Sequence, residues 1–309
     1  MGKSPPVSIG MPIYNEEKYL AQALDSLLAQ DFGDFELIIS DNASEDRTQE
    51  ICLEYAARDP RIRYYRNEVN LGQVENFNRV FRLSSGKYFM WASGHDLWHP
   101  CFISRCVEVL EQDSSVVLCY PQSVLIDLDG KELEVTDSHI DTRGWGLLAR
   151  FNLAIWAVDC AYAICGVFRA RALKQTRLLK PVIESDLVLL SELSLLGAFA
   201  NIPEVLFYPR KKWGDEERRK ERWRRLFNAI DPAKKKKRVW FPYLRWIYEE
   251  LLAVKHAQCG LGQKVLLMAS VVPAYFSRYR IYVPRRFRLK VKSILLREPL
   301  HTRADRSKR

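Results

Sequence analysis

The sequence predicts an α/β protein built on a mostly parallel, doubly wound sheet, and three observations predict it. Short apolar runs recur along the first two hundred residues, each closed by Gly, Pro, Asn, Asp or Ser. Segments with apolar residues at helical spacing separate them. The connections between the two are short, and a β-α-β-α-β order with short connections places successive strands in parallel with helices on both faces. At 309 residues, 48% hydrophobic and 28% charged, the chain is long enough to bury a large core.

Val7–Met11 is the first apolar run, stopped by Pro12, and reads as a buried strand. Residues 17–29 follow as a helix, with Leu20, Ala23, Leu24, Leu27 and Leu28 on one face. Phe35–Ser40 is the second strand, ended by the polar cluster DNASEDRT, in which Ser44 reads as the N-cap of a helix over 45–58. Strands at Ile62–Arg66, Tyr88–Ala92 and Val116–Tyr120 then alternate with helices at Val74–Ser84 and Cys101–Gln112.

Beyond residue 122 the alternation loosens. Asp129-Gly130 marks a hairpin between Val124–Asp127 and Glu132–Val135. Residues 151–168 are largely apolar, but Asn152 and Asp159 interrupt them, so a buried helix leading into a strand is favoured over a membrane span. Leu187–Leu196 is helical and Ala198–Phe207 is the last strand.

The net charge of +10 conceals a break. Residues 1–205 carry 19 Lys/Arg and 29 Asp/Glu, whereas residues 206–309 carry 29 Lys/Arg and 9 Asp/Glu. This places a boundary near Pro203–Pro209, with a body over 1–209 and a basic, aromatic-rich helical extension over 210–309. The extension contains KKKKR at 234–238, a helical stretch at 239–257 and the apolar run Val265–Phe276. That run of 12 residues is too short to span a bilayer but suits a helix lying in its interface.

Several function classes are excluded. The seven cysteines are scattered without a C-x-x-C pair, which argues for buried thiols in a reducing cytosol over disulfides or structural zinc. The first residues lack the apolar run of a signal peptide and the Ser or Thr of a myristoylation site. Neither G-x-G-x-x-G nor G-x-x-x-x-G-K-[ST] occurs, so dinucleotide and P-loop readings fail. Helix-turn-helix, zinc-finger and RNP signatures are missing too, and no nucleic acid is expected as a partner.

Ligands of open parallel sheets sit at the carboxyl ends of the strands. Four polar loops fall there: MPIYNEE, SDNASED, NEVNLGQ and ASGHDLWHP. Together with GKYFMWA at 86–92 and SDLVLLSELSLLG at 185–197, they make the chain resemble the inverting family 2 glycosyltransferases of bacterial cell-surface polysaccharide type. The match covers residues 7–210 and implies the GT-A fold, a Rossmann-like sheet that binds a nucleotide-sugar.

By that resemblance, Pro12, Tyr14 and Glu16 line the nucleotide loop, with Tyr14 stacked on the base. Asp41, beside Ser44, would accept a hydrogen bond from the base's ring N–H, and Asn70 and Gly72 would shape the wall near the nucleotide. Bland readings stand beside these: Tyr14 as a loop aromatic capping the sheet, Asp41 as a turn-forming acid, Glu16 as a first-turn helix acid, Asn70 and Gly72 as a plain turn.

The family's acid cluster after the fourth strand holds Mg²⁺ or Mn²⁺ against the diphosphate. This chain departs from it, with His95 in the place of an aspartate before Asp96. Asp96 is the expected metal ligand, and His95 is a softer one that tolerates Mn²⁺ better than Mg²⁺. Asp186, at the start of a helix, matches the family's general base; Glu184 is the alternative. Gly166 and Arg169 resemble the turn that borders the acceptor side.

The function implied is transfer of a sugar, UDP-linked in the first instance, to a saccharide or lipid-linked acceptor. The basic extension would rest on an anionic membrane at the inner face of a bacterial-type envelope, giving a cytoplasmic, peripheral protein. A catalytically degenerate nucleotide-sugar-binding protein is the first rival. A sugar nucleotidyltransferase is the second, and the acidic MPIYNEE loop, where that class has a glycine-rich basic loop, argues against it.

Overall fold

The computed structural model describes residues 4–136, 140–157, 161–182, 184–211 and 242–279. The elements alternate as the apolar periodicity dictates. They begin with β1 (Val7–Ile13), α1 (Leu20–Leu28), β2 (Phe35–Asp41), α2 (Thr48–Arg58), β3 (Ile62–Arg66), α3 (Gln73–Arg82) and β4 (Tyr88–Trp91). Then come β5 (Leu97–Trp98), α4 (Phe102–Gln112), β6 (Val116–Ile126), β7 (Glu132–Val135), α5 (Leu147–Ala157) and a 3₁₀ turn at Ala161–Cys165. The chain continues through β8 (Val167–Arg169), α6 (Ala170–Leu173), α7 (Ser185–Leu196), β9 (Ala198–Tyr208), α8 (Pro242–His256) and α9 (Leu261–Tyr279).

The strands form one sheet in the order β3-β2-β1-β4-β8-β6-β9-β5, with β7 paired to β6. β1, β2, β3 and β4 are mutually parallel, and β6 and β9 share their direction because the antiparallel β8 lies between β4 and β6. β1 has β2 on one side and β4 on the other, which makes the β1–β4 gap a switch point of the winding.

Every residue of β1 and β2 is buried, the mark of strands covered on both faces. On one face Val7, Ile9, Met11 and Ile13 meet Leu20, Ala23, Leu24 and Leu27 of α1. On the other, Phe81, Phe89, Trp91 and Phe168 pack edge to face or tilted, with centroids 4.8–6.3 Å apart. A third cluster joins α5 and α7 to α8 and α9 through Phe151, Ile155, Val188, Trp246, Val254, Leu267 and Val271.

Several boundaries differ from the sequence reading. Ser44 is not a helix cap: α2 starts at Thr48, and the Ser44 hydroxyl is taken by the loop after β1. β6 runs unbroken through Pro121, because the register against β9 shifts there and a missing N–H costs the ladder little. β5 is two residues long, below any periodic signal. The run Val265–Phe276 is the middle of a longer helix, α9, which carries Pro273. The lysine-rich stretch 234–238 lies outside the described residues. Among the described residues no helix is long and apolar enough to cross a membrane.

The amino edge of the sheet is tied by Glu36. Its carboxylate accepts from the Ser8 hydroxyl at 2.6 Å, the Ser85 N–H at 2.9 Å and hydroxyl at 2.8 Å, and Arg63 at 2.5 Å. Burial pushes this carboxyl up, but the hydrogen bonds from Ser8, Ser85 and Arg63 outweigh it and hold it below the usual range. Its contribution to stability is therefore full above the unfolded value near ~4.3 and is lost as pH falls through the lower folded value. Glu36→Gln should lower the urea midpoint at neutral pH and remove this part of the acid-side loss. Parallel acid limbs for the two proteins would refute the assignment.

Candidate active site

The loop after β1 and the loop after β2 are locked to each other by side chains that accept from backbone. Asn15, with φ of 53°, donates its N–H to the Ser44 hydroxyl at 2.9 Å, and its own carbonyl oxygen accepts from the Glu45 N–H. The Glu16 N–H goes to Thr48 Oγ1 at 2.8 Å, the Glu17 N–H to Asp46 and the Arg47 N–H to Glu17. Glu16 thus belongs to an ordered loop, since α1 does not begin until Leu20. Tyr14, one residue past β1, is 44% exposed at the mouth of this loop, open to a flat ligand.

Asp41 ends β2 and is fully buried. One carboxylate oxygen accepts from the Ser44 N–H at 2.9 Å; the other accepts from the Tyr64 hydroxyl at 2.9 Å and Arg66 Nη1 at 2.8 Å. Burial first, and then the bond to Asp41, push the Tyr64 phenol up, so it stays a donor. Arg66 also reaches the Ser44 carbonyl at 2.8 Å. Asp41 is thus braced by three donors, and its outermost partner is the partly exposed Arg66.

Asn42, the next residue, organises the third loop. Its amide N–H donates to the side chain of Asn70 at 2.8 Å, while its carbonyl oxygen accepts from the Leu71 N–H at 2.8 Å and Asn67 at 3.0 Å. Asn70 in turn accepts the Gly72 N–H at 2.8 Å. Gly72 starts α3 at φ 84°, a left-handed value that strains other residues. The exposed Asn70 and half-buried Gly72 are hence the outer end of an amide framework whose buried part continues through Asn67 and Asn76 to Ser40.

The fourth loop crosses the switch point. His95 Nδ1 lies 3.2 Å from Glu16 Oε1, and His95 Nε2 lies 3.8 Å from Asp96 Oδ1. Gly94 permits this approach, because a Cβ there would meet Ile13 and Glu16 at 3.0 Å. Asp96 is buried and accepts from the Ser93 hydroxyl and, at 2.8 Å, from the Arg210 N–H. The Arg210 guanidinium is buried too, bonded to the carbonyls of His95, Asp127 and Leu128 and to Gln22, over the Tyr19 ring at 4.4 Å.

For a divalent cation the residues after β4 offer one anchored carboxylate, Asp96, and one imidazole, His95. Among the described residues no three His, Cys, Asp or Glu gather as a metal-holding group. A sparse mixed N/O set of this kind fits Mn²⁺ better than Mg²⁺, which demands octahedral oxygen ligation.

Asp186 sits in the first turn of α7, after Glu184, which adopts the left-handed conformation at φ 53°. The helix ends beside Ala198, paired with Val116 at the amino start of β6. Its first turn precedes that end by 12 residues, about 18 Å of helix. Arg169 does not border that edge. It pairs with Tyr88 at the amino start of β4, and its buried guanidinium donates to the carbonyls of Val116, Leu110 and Asp113. Gly166 is buried against β6, where a Cβ would strike the Cys119 carbonyl at 2.6 Å.

Sequence reasoning missed Asn42, Arg66 and Arg210. The first lies inside SDNASED and the second ends a predicted strand, so their position at strand ends was the one signal that could have found them. Arg210 carries no local signal, since its partner Asp96 is 114 residues away.

Fold and edge together define a class: a GT-A α/β sheet with its polar loops gathered at the switch point. Residues 8–175 match glycosyl transferase family 2, and the chain belongs to that family. Curated relatives include an uncharacterized glycosyltransferase of Rickettsia typhi, 34% identical over 125 residues, which are 40% of this chain and 38% of the relative. Another, from Methanocaldococcus jannaschii, is 32% identical over 132 residues, 42% of this chain and 46% of the relative. The chain thus spans under half the length of these relatives.

Among solved structures, S. aureus TarS 1–349 in complex with UDP-GlcNAc superposes with a TM-score of 0.62 at 16% identity, covering 92% of this chain and 78% of TarS. Mannosyltransferase PcManGT from Pyrobaculum calidifontis, in complex with GDP-Man and Mn²⁺, gives 0.55 at 17% identity, covering 95% and 81%. These likenesses are of fold.

Asn42→Ala removes a buried amide that serves two loops. It should cost about 2–3 kcal/mol, the scale of a buried polar group left unpaired. The check is a urea titration, and a loss under ~0.5 kcal/mol, the range of a bystander surface change, would reject the framework role.

Proposed function

We propose that the chain is an inverting glycosyltransferase that moves a sugar from a nucleotide-sugar, UDP-linked in the first instance, to a hydroxyl of a saccharide or lipid-linked acceptor. One observation carries this reading. The polar loops after β1, β2, β3 and β4 are tied together by side-chain contacts at the carboxyl edge, with Tyr14 exposed beside them; the 12 residues of α7 are long enough to bring Asp186 to them. The nucleotide-sugar complexes of TarS and PcManGT support a donor of this class on this fold.

Tyr14 stacks on the base, with Pro12 behind it at the end of β1. Asp41 meets the base's ring N–H when Arg66, its outermost partner, gives way. Ser44, Asn70 and Gly72 set the wall beside it. Asp186, its charge favoured by the α7 N-terminus, takes the proton of the acceptor hydroxyl as that oxygen attacks the sugar carbon opposite the departing diphosphate. Glu184 stands two residues away as the alternative base. Asp96, with His95, would hold a cation, Mn²⁺ in preference, which would supply charge neutralisation at the diphosphate, while Glu16 lines the nucleotide loop. Gly166 shapes the floor of the sheet beneath the acceptor side.

A second reading, binding without transfer, is favoured by the two donors that already occupy Asp96 and by the imidazole that replaces an acid. Calorimetric titration with UDP, GDP and dTDP, with Mn²⁺ and with EDTA, separates the cases. Binding of one nucleotide that requires Mn²⁺ supports the transferase; binding indifferent to EDTA favours the second reading; no binding at all removes both.

Two variants test the roles. Asp186→Asn should abolish transfer, by a factor of at least about 10² in line with general-base catalysis, and leave nucleotide affinity nearly intact. Normal turnover would sink the base assignment. Tyr14→Ala should weaken nucleotide binding by about 1–3 kcal/mol, the worth of base–aromatic stacking, and unchanged affinity would reject the stack.

A further inference from the structure

α9 has two apolar faces, one buried and one exposed. Leu267, Val271, Ala274 and Tyr275 are buried against α5 and α8. Leu261, Val265, Val272 and Phe276 lie four, seven and four residues apart, which is one face of a helix, and all four are exposed. Leu266 lies at the margin of the same stripe, and Leu261 is 80% exposed. A soluble helix has no need of large aliphatic side chains on its outer face, and a continuous stripe of them marks a surface that meets something apolar.

Charge says what that something is. Lys255, His256 and Lys264 border the start of the helix, and residues 278–309, which continue from its end, carry 12 Lys/Arg against 2 Asp/Glu. An apolar stripe bracketed by basic sequence matches an anionic lipid surface, where aliphatic groups enter the acyl boundary and cations meet the headgroups. The helix lies on such a surface, because no helix among the described residues is long and apolar enough to cross one.

We infer that the outer face of α9 is a docking surface for an anionic bilayer, with Leu261, Val265, Val272 and Phe276 as its inserted side chains. This reading does not depend on the donor, the acceptor or the transfer reaction. It distinguishes contact by specific aliphatic residues from attraction by the basic sequence alone.

The test is sedimentation of the full chain with vesicles of roughly three parts phosphatidylglycerol to seven of phosphatidylcholine, and with phosphatidylcholine alone. The wild type should bind the mixed vesicles, more weakly as salt rises, and bind the neutral ones poorly. The triple variant V265Q, V272Q and F276Q keeps every charge and should bind the mixed vesicles at least tenfold less well. Its melting curve and near-UV circular dichroism should match the wild type; if they do not, V265Q alone, at an exposed position, serves with a smaller loss.

Equal binding by wild type and variant would overturn the proposal, since charge alone would then suffice. Failure of the wild type to bind any vesicle would overturn it as well. Wild-type dimers that the variant loses in sedimentation velocity, with no vesicle binding, would show that a second copy covers the face.

Discussion

The carboxyl edge of this sheet depends on a constraint of hydrogen bonding: loops that leave parallel strands carry backbone N–H groups with no ladder to join. Burying them without partners costs several kcal/mol in all, so short polar side chains must meet them. Asn42 is the centre of the solution. Its amide has both a donor and an acceptor, which lets one side chain hold the loops after β2 and β3 together. An aspartate there would offer acceptors only, and the bond to Asn70 would be lost. Ser44, Thr48 and Asp46 do the same work for the loop after β1. The shape of the carboxyl edge is thus fixed by the chain's own side chains, which lowers the ordering that binding of a ligand there would otherwise require.

Charge is handled with the same economy. A buried carboxylate is tolerable only when donors surround it, and both Asp41 and Asp96 are surrounded. Their partners differ in consequence. Asp41 is braced by neighbours in sequence and strand, so that corner is local. Asp96 is braced by the backbone of Arg210, from the far end of β9, and the Arg210 side chain reaches back to Gln22 and the loop after β6. The fourth loop therefore cannot take its place until β9 has paired. The composition break put Arg210 in a separate extension; its burial puts it in the sheet edge.

What was legible in the sequence follows from range. Apolar periodicity reports on what lies directly above and below a residue, so the strands and helices of the body were readable, as was the edge on which the loops fall. Ser44 misled because a serine before a helical stretch has two uses, cap or loop latch, and the choice rests on Asn15, 29 residues earlier. Arg169 misled because a Gly-to-Arg turn says nothing of which way β8 runs. Pairing antiparallel to β4, it delivers Arg169 to the amino edge and its guanidinium to three carbonyls there. Two-residue β5 and the Asp96–Arg210 contact had no local signature at all.

The place of α7 connects the extension to the chemistry. Its residues from Leu187 to Leu195 are all buried, and a helix apolar on every side is held by its surroundings, not by one packed face. Those surroundings are Leu118, Phe168 and Phe199 of the sheet, together with α5 and α8. Arg177, just before the helix, binds Glu192 within it and reaches Glu249 of α8 at 2.5 Å, while Ser191 donates to Glu250 at 2.5 Å. The first turn of α7, with Glu184 and Asp186, is half-buried. A shift of α8 would have to break a buried ion pair or move that turn with it. The basic extension is thus packed against the helix that carries Asp186, rather than standing apart from a finished domain.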